Sequence, residues 1–420
     1  MDHFHYRDGE MFAEDVAIAQ IAAEVGTPVY VYSASTFRRH ARVFREGLSA
    51  LPRVHLAYAI KANPNVAVLR VLADEGYGAD VVSVGEMRRA LAAGMKPQDI
   101  VFSGVGKTRA ELAAALEAGI GQFNLELEEE GVVLAALAHE RGLTAPAVIR
   151  VNPDVDAGTH AKISTGRKEN KFGVPIDQAP GMFDRLAGLP GLDLRGVACH
   201  IGSQLGDLAP LEAAYARIGE LVAELRAAGH GISRVDLGGG LGVPYKPGDV
   251  MPEPAAYGAM VARVTQGWDV ELMFEPGRVI AGNAGVLVTE VVWVKPGVAN
   301  PYVIVDAAMN DLARPALYDA YHDFVAVRPN GEKMTANIAG PVCETGDTFA
   351  MNREIDKVVS GDLAIFRTAG AYGATMASTY NSRPLVPEVL VEGERYAVVA
   401  DRIAAETILS AERVPDWLQK

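Results

Sequence analysis

The chain reads as an α/β protein: a (β/α)8 TIM-type barrel with a C-terminal, mostly β domain. Three observations predict this. Short apolar, β-rich runs alternate with amphipathic helical stretches over the first two thirds of the sequence, and eight such runs can be counted. After about Ala281 the strand-like runs continue while helical patterning fades. The length of 420 residues holds a barrel of about 250 residues and a smaller partner.

The elements follow in order. Residues 1–34 form an N-terminal segment whose strand-like run Thr27–Tyr32 precedes the barrel and is expected to join the β domain. A helix over Ala34–Leu48 leads into a barrel spanning 35–280. Its strands are expected at Val54–Ile60, Ala79–Val84, Ile100–Ser103, Gln122–Leu125, Ala147–Val151, Leu194–His200, Arg234–Leu237 and Val270–Phe274. They are rich in Val, Ile, Leu and Ala, as parallel strands covered on both faces should be. Helices over Pro64–Glu75, Gly85–Ala93 and Lys107–Ala118 each stop near a glycine (Gly76, Gly94, Gly119) able to take a left-handed cap. The β domain, 281–420, is expected to hold strands at Val286–Val294, Tyr302–Val305, Val358–Phe366 and Val386–Val391, the last confined to a sheet edge by Pro387.

Composition narrows the function. With 39 basic and 53 acidic residues the net charge is −14, which argues against a nucleic-acid or anionic-membrane surface. Two cysteines, Cys199 and Cys343, are too few for a disulfide framework and fit a reducing, cytoplasmic setting. The first twenty residues are polar and acidic, unlike a signal peptide. Two glycine motifs mislead. Gly104–Thr108 (GVGKT) lacks the glycine that a phosphate-binding loop needs at position 101, where Val stands; a strand end followed by a helix start is the simpler reading. Gly238–Gly242 (GGGLG) is followed by Pro244 where a dinucleotide-binding helix should open. No H-E-x-x-H or C-x-x-C occurs, and no metal is expected.

Active sites of such barrels lie at the C-terminal ends of the strands. The first strand runs into Lys61, where partial desolvation would make the amine a nucleophile, although a surface lysine would look the same in sequence. The fifth ends near Arg150 and the sixth in His200, with Ser203 just beyond; Gly238–Gly240 follow the seventh and Glu275–Arg278 (EPGR) the eighth. Bare backbone amides after strands seven and eight are where barrels hold a phosphate. A lysine amine, a phosphate cradle, a stacking imidazole and a buried carboxylate together point to pyridoxal 5'-phosphate.

The residues then carry a family resemblance. Tyr58–Asn63 (YAIKAN), Gly78–Glu86 (GADVVSVGE), Arg150–Asp156 (RVNPDVD), His160–Gly173 (HAKISTGRKENKFG), His200–Gln204 (HIGSQ), Asp236–Gly242 (DLGGGLG) and Glu275–Arg278 fall in the first unit. Asn310–Tyr318 (NDLARPALY), Gly340–Asp347 (GPVCETGD) and Gly370–Gly373 (GAYG) continue the series through the second. In this order the sequence resembles the barrel-fold (fold-type III) pyridoxal-phosphate decarboxylases, and within them the diaminopimelate decarboxylase family. The set is specific, although each short run is not. The implied architecture is the two-domain, alanine racemase-like one.

The resemblance implies roles. Lys61 would carry the cofactor and later release it to the substrate amine; Glu275 would face the pyridine nitrogen; His200 would stack on the ring. Asp80, Glu86 and Arg150 would form the polar surround. Ser203, Gly239, Gly240, Gly277 and the Arg278 backbone would donate to the phosphate, with Tyr372 adding a hydroxyl. Cys343, in a loop reaching a neighbouring subunit's site, would protonate the carbanion left by CO2, since an ordinary thiol, with a pKa of about 8.5, is mostly protonated at neutral pH. Cys199 reads as core packing. Arg278 and Arg314 offer guanidinium forks for a distal carboxylate, Tyr318 a hydroxyl, Tyr372 a further substrate contact and Glu344 a partner for a distal ammonium. Thr345 stands where the family more often shows Ser. His160–Gly173 resembles the family's specificity region.

The implied reaction is decarboxylation of meso-2,6-diaminoheptanedioate at its D-configured centre to L-lysine and CO2, in a homodimer with shared active sites. Two alternatives remain open at this point. One is a same-fold decarboxylase for carboxynorspermidine or a basic amino acid. The other is a catalytically dead binding homologue, against which the presence of Lys61, His200, Glu275, Cys343 and Tyr372 argues.

Overall fold

A computed structural model describes residues 2–156 and 171–419. The chain separates into two compact units: one of residues 37–244 and 249–280, the other of 1–36, 245–248 and 281–420.

The first unit is a closed barrel of eight parallel strands: β1 (Val54–Ala59), β2 (Gly78–Val81), β3 (Ile100–Phe102), β4 (Gln122–Leu125), β5 (Ala145–Asn152), β6 (Leu192–Ala198), β7 (Arg234–Asp236) and β8 (Glu271–Phe274). Each pairs with the next, and β8 pairs back onto β1 with Phe274 opposite Leu56, which closes the ring. Ala57, Val101 and Met273 pack together as one buried cluster. Parallel neighbours require crossovers, and helices supply them, including Val66–Asp74, Val84–Ala92, Arg109–Ala118, Glu128–Glu140 and Ala209–Ala227. The third of these opens on a complete capping box, Thr108 with Glu111. At Gly78 the strands approach so closely that a Cβ would lie 1.9 Å from the Asp99 carbonyl oxygen.

The sixth strand runs Leu192–Ala198 and stops before His200, and two other boundaries differ from expectation for local reasons. The second strand stops at Val81, and Val84 is already helical. Ser83 adopts the extended N-cap conformation, and its Oγ accepts the Glu86 amide at 3.2 Å. The first strand gives way at Ile60 to a 3-10 turn, Ile60–Ala62.

The second unit centres on a mixed sheet ordered Thr348–Asp356, Lys333–Ala339, Tyr302–Val305, Gly285–Lys295, Val29–Ser33, Glu388–Glu392 and Arg395–Ala400, with Phe324–Ala326 and Leu363–Phe366 as a side branch. Val29–Ser33 joins this sheet, antiparallel to Gly285–Lys295 and parallel to Glu388–Glu392. A small N-terminal sheet of Phe4–Arg7, Glu10–Ala13 and Val16–Ala17 contributes Met11 and Val16 to the same core as Val31, Val288, Ile365 and Val389.

The proline argument for an edge strand fails. Glu388–Glu392 has neighbours on both sides, because Pro387 stands just before the strand and only its carbonyl is used, accepting the Tyr30 amide at 3.0 Å. The expected strand Val358–Phe366 is ordered as a strand only from Leu363; before it, Asp362 Oδ2 accepts the Val359 amide at 2.7 Å and closes a turn. No described helix is long and apolar enough to cross a membrane.

Candidate active site

The barrel gathers its chemistry at the strand ends. Lys61 sits in the turn after β1, its Nζ 2.6 Å from Asp80 Oδ2 on β2. The lysine side chain is 40% exposed while Asp80 is fully buried, so the amine faces open space from an anchored base. Among the described residues, Asp80 Oδ1 is a buried oxygen with no hydrogen-bond partner. Glu86, on the helix after β2, accepts the Val82 amide at 2.8 Å, and burial raises its carboxyl above the usual range. From β5, Arg150 pairs with Glu126 at 2.8 Å, and its guanidinium lies 4.8 Å from the Phe172 ring centre.

His200 follows β6. Its Nδ1 accepts the Gly239 amide at 3.2 Å, which places the ring proton on Nε2. Burial, aided by Arg150 and Lys61, lowers its pKa to about 3, so the imidazole is neutral at physiological pH. Ser103, Asn124, Asp236 and Glu275 form one polar cluster: Asn124 Nδ2 donates to Ser103 Oγ at 3.0 Å, Asp236 Oδ2 at 3.3 Å and Glu275 Oε1 at 3.4 Å. Burial first, then the Asp236 and Asp80 charges, push Glu275 well above the usual carboxylate range. Beyond them Ser203 Oγ accepts from Arg278 Nε and Nη2, both at 3.2 Å.

Among these groups Lys61, Arg150, His200, Asp236 and Glu275 line a cavity of about 440 Å³. Glycines after β7 and β8 allow close backbone packing next to these groups. A Cβ on Gly239 would lie 2.3 Å from the Glu275 carbonyl oxygen, and one on Gly240, at φ +124°, 2.6 Å from that of Gly202. Gly277 packs under the first strand end, its missing Cβ 3.1 Å from the Ala59 Cβ.

Several lining groups escaped the sequence reading: Ser103, Asn124, Asp236 and Phe172. Gly104, Val105 and Gly106, read as a plain strand-to-helix turn, line the cavity too. Lys107 is not a phosphate ligand here: it reaches the Gly104 and Asn124 carbonyls at 2.6 and 2.9 Å and Glu130 at 2.7 Å. Cys199 is buried, and burial pushes its thiol far up, consistent with packing. Of the expected specificity run His160–Gly173, residues 160–170 lie outside the described residues. Gly173 donates its amide to Glu126 Oε2 at 2.6 Å.

The β unit holds the remaining candidates, each described within that unit. Cys343 is exposed on its loop, its amide donating to Asn381 Oδ1 at 3.0 Å. The loop is pinned by buried Asp347, which accepts the Met309 amide at 2.6 Å and the Val342 amide at 2.7 Å. Tyr380 donates its hydroxyl to Glu344. Arg314 is buried, 2.8 Å from His322 Nε2 and stacked 4.5 Å from the Tyr245 ring centre; Tyr318 ends the same short helix, Arg314–Tyr318. Tyr372 holds a left-handed φ of +56°, a conformation uncommon outside glycine.

An amine beside a buried carboxylate, a neutral imidazole and glycine amides after β7 and β8 define a barrel enzyme suited to an aldehyde cofactor with an anionic tail. Among known proteins, the pyridoxal binding domain of pyridoxal-dependent decarboxylases matches residues 35–282. Diaminopimelate decarboxylase from Zymomonas mobilis is 51% identical over 420 residues, covering 99% of both chains, and that from Vibrio cholerae is 47% identical over 99% of both. Among solved structures, diaminopimelate decarboxylase from M. jannaschii in complex with L-lysine superimposes with a TM-score of 0.95 at 35% identity, covering 99% of both chains. The Helicobacter pylori enzyme, also with L-lysine, gives 0.90 at 38% identity over 93% of this chain and 98% of that one. The chain belongs to the pyridoxal-dependent decarboxylases, in the diaminopimelate decarboxylase family.

Proposed function

We propose that the chain decarboxylates meso-2,6-diaminoheptanedioate to L-lysine and CO2 with bound pyridoxal 5'-phosphate. The observation that carries the reading is the Lys61–Asp80 pair at the mouth of a barrel cavity, in a chain 51% identical end to end to a named diaminopimelate decarboxylase. The cavity fits the cofactor on its own evidence. Its Lys61 amine is paired to Asp80, whose other oxygen is buried with no partner among the described residues, and its volume is in the range of small-molecule sites.

Pyridoxal phosphate, when bound, supplies an electron sink for the carbanion left by CO2. The chain's residues do the rest. Lys61 Nζ is the amine that holds the cofactor aldehyde, and Asp80 orients it. Glu275 would face the ring nitrogen from a buried position and, with its proton passed to that nitrogen, would favour the charged pyridinium as a carboxylate. His200, neutral, presents an uncharged face for the ring to lie against. The Gly239, Gly240, Gly277 and Arg278 amides and Ser203 Oγ bind the phosphate, with Tyr372 Oη. Arg278, Arg314, Tyr318, Tyr372 and Glu344 recognise the far carboxylate and ammonium of the substrate. Cys343 Sγ returns a proton to the carbon that lost CO2.

The last group is proposed to act in a homodimer, with Cys343 serving the partner's site. The exposure of Cys343, and of the apolar side chains Trp293, Met351 and Tyr380 in the same unit, supports association of two copies. Two free thiols suit the cytoplasm. The purified chain with pyridoxal phosphate should release CO2 and L-lysine in equal amounts from the meso substrate. Release of neither would overturn the reading.

A further inference from the structure

Asp236 ends β7, is buried, and borders the cavity. Its Oδ1 accepts the Gly238 amide at 2.9 Å, while Oδ2 accepts from Gln122 Nε2 at 3.2 Å and Asn124 Nδ2 at 3.3 Å. Three donors on one carboxylate favour its charged form. Glu275 is hydrogen-bonded to it but receives only longer contacts, from Asn124 at 3.4 Å and Ser103 at 3.5 Å. Two touching, buried carboxyls retain one proton between them, because both ionised side by side would repel. The donor set leaves that proton on Glu275.

Oδ1 also acts on the glycine turn beside His200. Gly238 sits at φ +65°, and a Cβ there would lie 2.5 Å from the Cys199 carbonyl oxygen and 3.0 Å from His200 Nδ1. The next amide, of Gly239, is the one that His200 Nδ1 accepts. The imidazole is therefore set by a turn whose first amide is tied to Asp236.

We propose that Asp236 is a positioning residue that ties together two groups lining the cavity, Glu275 and His200. Its carboxyl group holds the Glu275 carboxyl through a shared proton, and its Oδ1 holds the glycine turn that fixes His200. The inference deepens the reading above and rests on its placing the ring nitrogen at Glu275 and the phosphate at the glycine amides. The charged groups facing the pair are Asp80 from β2 and Lys61 after β1. Arg150 and Cys199 stand on neighbouring strand ends beside His200, and Tyr215 and Tyr257 lie behind on helices.

An infrared pH titration of the cofactor-free protein tests the pairing without relying on the cofactor. The wild type should show a buried carboxylic-acid carbonyl band at pH 7 that E275Q removes. D236N, which is isosteric and keeps an acceptor for Gly238, should lower the midpoint of that band by about 1 pH unit or more. A band missing from the wild type, or an unchanged midpoint in D236N, overturns the pairing. Pyridoxal phosphate binding then tests the turn: D236A should weaken it about 10-fold, and D236N less. Equal affinity in D236A and wild type overturns that half. The band in the wild type and its shift in D236N, with no pyridoxal phosphate binding by the wild type, support the pairing and reject the cofactor reading instead.

Discussion

Lys61 combines an exposed amine with a buried partner, and each property has a measurable consequence. Lys61→Ala should lose the cofactor absorbance band and roughly 10³-fold or more of turnover, checked by spectrum and CO2 release on one sample. Full turnover in that variant would remove Lys61 from the reaction. Cys343→Ala should still bind pyridoxal phosphate but turn over about 10²- to 10⁴-fold more slowly, the span typical of a lost general acid. His200 carries a pH signature in the cofactor-free protein. Its pKa falls from an ordinary value of about 6.5 in the unfolded chain to about 3 when folded. Between those values the unfolded state binds more protons, so this contribution to stability is complete above pH 6.5 and lost as pH falls. Denaturation across that window should give a slope of at most about 1.4 kcal/mol per pH unit that His200→Gln lacks.

At the scale of elements, the strand ends were the legible part of the site. Each catalytic candidate in the barrel closes a run whose apolar pattern fixes where the strand stops, as Arg234–Asp236 and Glu271–Phe274 do before the glycines and Glu275. Asn124, Ser103 and Asp236 were not legible as site residues. They stand on or just after strands of three or four residues, and which polar side chain faces the cavity depends on the register of the closed ring. Pro387 misled because a proline just before a strand gives up no ladder hydrogen bond. In the β unit, Lys333–Ala339 and Thr348–Asp356 were missed. KMTANIA and TFAMNREID lack clean alternation, and their pairing contains register shifts. One of the barrel's tight backbone approaches gives a test at this scale. Gly78→Ala would drive a Cβ to 1.9 Å from the Asp99 carbonyl oxygen, so a thermal melt should show destabilisation by about 1–3 kcal/mol, or no folded protein. An unchanged melt would mean that β2 can shift away from Asp99.

For the whole molecule, the net charge of −14 makes local cations decisive, because an anionic cofactor and a dicarboxylate must bind against the overall field. Arg278 and Arg314 carry that task in the proposed site, and both are buried. The proposed sharing of sites between subunits has its own test. Mixing inactive Lys61→Ala and Cys343→Ala proteins under conditions of subunit exchange should restore part of the activity, since one of the two sites in a mixed dimer regains both groups. No recovery in demonstrated mixed dimers would contradict a shared site.

Specificity is the point on which the account stands or falls. Ornithine and carboxynorspermidine carry only cations at the far end, whereas Arg278 and Arg314 are proposed to meet a far carboxylate. The direct measurement is kcat/KM for CO2 release from meso-2,6-diaminoheptanedioate, ornithine and carboxynorspermidine on one preparation. The account predicts a preference for the first of at least about 100-fold, because a buried guanidinium left without its carboxylate penalises the analogues. Comparable or faster turnover of ornithine or carboxynorspermidine would contradict it.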